Sequence, residues 1–142
     1  MSLQTRLADL ITALGADTKD LYSKLGEAAT FYRSGVLTVT TGKARFIVPP
    51  GNWTITSVTG VIITANTGSS VLVDVNKNGT TIFTTQSNRL TIPVSDTAVK
   101  TSGTIQVSGL TGGDVLSVDI DQIGSTIAGS DLSVQIFLKR VV

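Results

Sequence analysis

Cysteine and histidine are absent from this 142-residue chain, methionine and tryptophan occur once each, proline three times, and only 15 % of the residues are charged. Without a thiol or an imidazole there is no Cys nucleophile, no Ser-His-Asp relay, no structural zinc site of the usual Cys/His kind and no haem held through His. Any catalysis would have to run on carboxylates, Lys, Tyr or a bound cofactor. Eleven Lys and Arg against ten Asp and Glu leave a formal charge of +1, with both signs interspersed. Such a chain has no long-range field for nucleic acid or an anionic membrane, so neither is expected as a partner. Long apolar runs are missing as well. Polar residues interrupt the opening Met1-Ser2-Leu3-Gln4-Thr5-Arg6, which does not read as a secretory signal, and no stretch is long enough to span a bilayer, so no membrane insertion is expected. The length suits one domain of ordinary size with a short appendage.

What is present changes character near residue 30, which divides the chain into a helical module (1-30) and a β module (31-142). From Leu3 to Leu25 there is no Pro, and only Gly15 interrupts a run of good helix formers. Leu3, Leu7, Leu10 and Leu14 follow one helical face, and the stripe resumes at Leu21 and Leu25. Ser2 is the expected N-cap and Gly26 the expected C-terminal stop, giving roughly 35 Å of helix at 1.5 Å per residue. Asp17 and Thr18 stand where the next apolar residues should fall, so the phase slips after Gly15 toward an eleven-residue repeat.

Beyond Gly35 the composition is that of strands and tight turns: Ser and Thr make up about a quarter of the chain, Val and Ile are frequent, and Gly recurs at short intervals. Strands are expected at 36-41, 44-48, 53-64, 70-76, 80-85, 89-93, 103-108, 114-122 and 132-141. Val71, Val73 and Val75 share one face and lead into Asn78-Gly79, a strong two-residue hairpin signal. Leu116, Val118 and Ile120 share a face opposite Ser117, Asp119 and Asp121, which implies a wetter outer side. The expected fold is mainly β: an N-terminal amphipathic helix followed by a β-sandwich or jelly roll. Lys43, Pro49, Pro50 and Pro93 fall near strand ends, where they would blunt sheet edges.

The helix must hide its leucines on its own sandwich or on copies of itself. A sandwich with both inner faces filled offers no groove, and Asp9, Asp17, Lys19 and Asp20 flank a narrow stripe. Self-association is the expected solution, with Leu3, Leu7, Leu10, Leu14, Leu21 and Leu25 as its contacts. Phe31 and Tyr32 would pack the joint between the modules.

The segment from Leu3 to Lys19, LQTRLADLITALGADTK, resembles a short helix at the start of many tailed-bacteriophage virion proteins, notably fibre and minor tail proteins. Three later stretches, Phe46 to Trp53, Val75 to Phe83 and Gly113 to Gly124, resemble a β domain that recurs in such proteins and are similar to the jelly roll of the C1q and tumour-necrosis-factor class. The resemblance implies a homotrimer and a non-enzymatic virion structural protein without a cofactor, assembled in the bacterial cytoplasm. Its role would be that of a capsid decoration, head fibre or short tail fibre. Its partners would be sister copies, other virion proteins of capsid or tail, and a host-surface glycan. The aromatic content of 5 % departs from the C1q-like pattern, leaving few rings to fill a threefold axis.

A lectin-like carbohydrate-binding adhesion module is the alternative function. Trp53, after Pro49-Pro50-Gly51-Asn52, is the candidate ligand contact: either an exposed ring for stacking a sugar or an anchor in the core or a subunit interface. Asp114, Asp119, Asp121 and Asp131 are the acidic residues to weigh as a calcium site, but their spacing lacks the D-x-D-x-D-G loop, and no metal is assigned. As a glycosidase pair they lack the aromatic platforms of a sugar cleft. Gly112-Gly113 reads as a turn, because no helix follows it to receive a phosphate.

Overall fold

Ser2 caps the helix as its position suggests. Its hydroxyl accepts the Thr5 amide at 3.1 Å and its carbonyl the Arg6 amide at 3.1 Å, opening α1 (Leu3–Lys24). The computed structural model describes every residue except Leu25, and the side chains of all the others except Tyr22 and Ser23. Leu25, the last residue of the expected stripe, therefore lies outside the described residues. Within α1 the Thr12 and Thr18 hydroxyls bond back to the carbonyls of Ala8 and Leu14, which satisfies them locally on an exposed helix.

The strands follow in order: β1 (Gly26–Val36), β2 (Thr40–Ile47), β3 (Asn52–Val61), β4 (Val71–Lys77), β5 (Thr80–Thr81), a 3₁₀ turn at Gln86–Asn88, β6 (Leu90–Ile92), β7 (Lys100–Thr101), β8 (Gly109–Thr111), β9 (Val115–Gln122) and β10 (Ser130–Val141). One sheet runs β1-β10-β3, with β7 and β8 sharing the far edge of β3. The other runs β2-β9-β4, with β5 and β6 sharing the far edge of β4. Every strand pairing is antiparallel. If β5 with β6, and β7 with β8, are taken as single interrupted strands, each sheet holds four strands. Consecutive strands then fall in opposite sheets except at the hairpin from β4 to β5 and β6, with the first strand beside the last and the second beside the one before it. That winding is a jelly roll, and the chain is mainly β with one helix in front of an antiparallel sandwich.

Alternation places the core. Ala29 and Phe31 of β1, Val58 of β3, and Leu132, Val134, Ile136 and Leu138 of β10 line one inner face. Val71, Val73, Val75, Leu90, Leu116 and Ile120 line the other, with Phe83 and Ile82 fully buried beside them. Asn78 and Gly79 both have positive φ (51° and 85°), the backbone that a two-residue hairpin between β4 and β5 requires.

Three expectations are corrected. Phe31 and Tyr32 do not pack a joint between modules: they lie in β1, paired with β10 from Gly26↔Lys139 to Arg33↔Leu132, so sheet structure begins at Gly26, inside the segment given to the helical module. Gly26 accordingly opens a strand. The stretch expected as a strand at 36-41 divides: Val36 ends β1, buried Leu37 crosses between the sheets, and β2 starts at Thr40. Finally, residues 103-108 are not a strand, although their pattern alternates. The far edge of β3 is already taken at its two ends by β7 and β8, and the Gln106 and Val107 amides both turn to the Ile82 carbonyl, at 3.2 and 3.1 Å.

Candidate functional site

Every described side chain of α1 is exposed, and the helix approaches the sandwich chiefly at β10. Leu7, Leu10 and Leu14 are 55–56 % exposed, Leu21 is 65 % exposed and Leu3 83 %. The helix does not lie as a lid on its own domain. Ile11, which the leucine spacing passes over, is 61 % exposed and stands one turn from both Leu7 and Leu14, so it widens the stripe. The signal for it was in the sequence, four residues after Leu7. The Asp20–Lys24 ion pair, both partners solvated, adds little to the helix.

Trp53 is 5 % exposed. Its Nε1 donates to the Pro49 carbonyl at 3.0 Å, and the Arg140 guanidinium lies over the ring at 5.6 Å from its centre. The ring has no open face for a sugar, which corrects its assignment as a ligand contact: it anchors the β2–β3 corner. Gly112 explains part of this packing, since a Cβ there would meet Pro50 Cα at 2.7 Å, and the Gly112 and Gly113 amides bond to Gly51 and Val48.

The four aspartates weighed for calcium serve separate structural tasks. Asp114 accepts the Thr111 amide and the Asn78 amide group, each at 2.8 Å, and pairs with Lys77 at 3.1 Å. Asp131, in a left-handed conformation (φ 58°), accepts the Gly35 amide, Ser130 and Tyr32. Asp119 accepts the Gly42 amide and Asn76, and Asp121 pairs with Arg89. Among the described residues no acidic group is arranged to hold a metal ion. The outer face of the β4–β9 pair is drier than its sequence suggests. Asp74 (7 % exposed), Asn76 and Ser117 are buried there, Asp74 accepting from the Val75 amide and Thr81.

These contacts set an acid response. Burial pushes the Asp74 carboxyl above the ordinary value, against the Thr81 and Val75 hydrogen bonds. Backbone and side-chain donors hold Asp114, Asp131 and Asp96 below it, led by the Thr111 amide, the Gly35 amide and Lys100 respectively. A raised carboxyl costs stability above its folded pKa, and the cost is relieved as pH falls toward about 3.9. Lowered carboxyls contribute stability above that value and lose it as pH falls through their own. Melting temperature should therefore rise slightly as pH drops from neutrality and then fall below pH ~4. Asp74→Asn should remove the rise, and Asp114→Asn should remove part of the fall. A flat profile from pH 7 to 2 would contradict both assignments.

Three concavities stand out, one of them a shallow recess of about 250 Å³ between β3 and the stretch from Thr101 to Ser108. A polar groove of about 430 Å³ on the outer face of the β2–β9–β4 sheet is lined by Arg45, Asn76, Asn78, Ser117 and Asp119. The third, about 190 Å³, opens between the edge strands β1 and β2, with Phe31, Val118, Ile120, Leu132 and Val134 as its floor and Arg33 and Lys43 beside them. Arg33 also went unnoticed in the sequence. It shares the inward parity of Ala29 and Phe31, and its Nε is buried without a hydrogen-bond partner.

With this geometry in place, comparison with known proteins gives the following. No family model matches the chain, and no curated protein does. Among solved structures it is similar to the capsid asymmetric unit of cyanophage Pam1 (17 % identity, 82 % of this chain and 86 % of that one, TM-score 0.46). It is also similar to the carbohydrate-binding module CBM36 in complex with calcium and xylotriose (15 % identity, 80 % and 72 % coverage, TM-score 0.35). Neither likeness bears on chemistry. No helix among the described residues is long and apolar enough to cross a membrane.

Proposed function

We propose that the chain is a non-enzymatic structural protein of a phage virion, a homotrimer whose N-terminal helices bundle or dock on the particle while the jelly rolls project as a decoration, head fibre or short tail fibre. The observation that carries the self-association is the uncovered stripe of Leu3, Leu7, Leu10, Ile11, Leu14 and Leu21, which its own sandwich leaves in water. A helix of this length is marginal alone, and most of its stability has to come from packing that face. The outer face of the β1–β10–β3 sheet supports the same reading. Its central rows, Ala28–Phe137–Ser57 and Thr30–Gln135–Thr59, carry no ionisable side chain, which suits close approach of sister sandwiches. The virion setting rests on the resemblance of the helix and the β stretches to phage proteins.

Light scattering on the full chain is the direct test. A particle of three times the 14.8 kDa chain supports the trimer, and a monomer at micromolar concentration overturns it. Cryo-electron microscopy of the parent particle then tests the location: density for the chain on capsid or tail supports the virion role, and its absence from purified particles removes it. In the lectin-like alternative the contact moves from Trp53 to the polar groove, whose amides, carboxylate and Arg45 have the chemistry of sugar hydroxyl recognition. Glycan binding that Arg45→Ala abolishes would favour that alternative.

A further inference from the structure

On β1 the inward positions run Ala29, Phe31, Arg33: two core residues, then a guanidinium at the open margin where the edge strands β1 and β2 face each other. Burying a charged donor there is unfavourable unless something accepts its hydrogen bonds. Within the described residues only the Thr38 hydroxyl does. Nε has no acceptor, Nη2 reaches only Thr38 Oγ1 at 3.4 Å, and neither Arg33 nor Lys43 across the cleft forms an ion pair. The neighbouring carboxylate, Asp131, is occupied by the Gly35 amide, Ser130 and Tyr32. Besides the two cations the lining is mostly apolar, with Phe31, Val118, Ile120, Leu132 and Val134 joined by Tyr32, Thr40 and Ala44.

We propose that this cleft binds a small organic carboxylate with an apolar body, its carboxylate held between the Arg33 guanidinium and the Lys43 ammonium and its hydrocarbon between the sheets. The planar fork of a guanidinium matches two carboxylate oxygens at once. Lys43 adds a second positive charge at the mouth. At about 190 Å³ the cleft is smaller than the sites of drug-sized ligands, which limits the occupant to a short aliphatic or aromatic acid. The site stands apart from the helix and does not depend on the virion reading.

Octanoate is the probe, titrated into the full chain and followed by NMR. Saturable shifts confined to Phe31, Val118, Ile120, Leu132, Val134 and their neighbours are expected at millimolar concentration or below. Octan-1-ol, which has the same tail without the charge, should bind about ten-fold or more weakly, as should octanoate to Arg33→Gln. Ala44→Phe fills the mouth while keeping both cations, so it should abolish the shifts; it also decides the matter if Arg33→Gln fails to fold. No saturable shift with octanoate, equal binding of the alcohol, or unchanged binding to either variant overturns the proposal. Arg33 would then be an inward charge that guards an edge strand against pairing with another chain.

Discussion

Replacing Leu10 and Leu14 together by Asp should leave the jelly roll folded and release the chain as monomers. Both side chains are a little over half exposed and touch nothing in the sandwich core, so a chain standing alone loses no packing when they change. In a bundle each would be buried against sister helices. At about 1.5–3 kcal/mol for a leucine taken from full exposure to full burial, and with a little over half of each still to bury, the pair contributes about 2–3 kcal/mol per chain, before the further cost of placing carboxylates in an apolar seam. That weakens association by two orders of magnitude or more. The expected record is a fall in mass by light scattering from three chains to one, with the melting transition of the sandwich unmoved. Leu10→Ala with Leu14→Ala separates helix propensity from burial, because Ala is the better helix former yet should still weaken the assembly. If the Asp variant keeps its mass, the stripe does not hold the copies together. If the sandwich melts with it, the helix is part of the domain.

The difference between these outcomes follows from what was legible in the residues. Local signals carried far: Ser2 as a cap, the leucine spacing, the alternation of Val71, Val73 and Val75, and Asn78-Gly79 each appear in the structure at the expected place. What failed was set by partners distant in the chain. β1 looked like a joint because Ala28-Ala29 and Ser34-Gly35 dilute its pattern, and only pairing with β10, about a hundred residues later, makes it a strand. The stretch 103-108 has the right period, but the Gln106 and Val107 amides turn to the Ile82 carbonyl instead of laddering with β3. Ser117 looked wet because an alternating strand has a wet face by default, yet it is buried opposite Asn76, which Asp119 bonds, while Thr81 bonds Asp74 on the same face. The cleft beside Arg33 was illegible for the same reason. It exists only where β1 and β2, members of different sheets, face each other with no strand beyond them.

The second large effect is expected in a corner far from the helix, at Gly124. A Cβ there would overlap the Ile127 carbonyl oxygen and lie 2.9 Å from the Thr67 oxygen, both backbone atoms that cannot swing aside. The loops they belong to are tied to each other. The Thr67 amide bonds Ile127, the Thr126 amide bonds Thr67, the Gly124 amide bonds Ala128, and Ser69 bonds the Ile123 carbonyl at 2.8 Å. Making room for one methyl therefore means parting several hydrogen bonds at once in a buried place. Gly124→Ala should cost about 3 kcal/mol or more, and at this chain length each kcal/mol lowers the melting temperature by about 2–4 °C. Gly109→Ala is the matched comparison, because a Cβ there meets nothing within 4 Å, and its effect should stay within about 0.5 kcal/mol. Thermal melts of the two variants separate packing from glycine chemistry in general. Equal melting temperatures would mean that the 62–70 and 123–130 loops are not clasped as described. A large difference confined to Gly124, with the assembly mass unchanged below the transition, would show that the sandwich closes this end by itself and leaves the helix as the separate instrument of association.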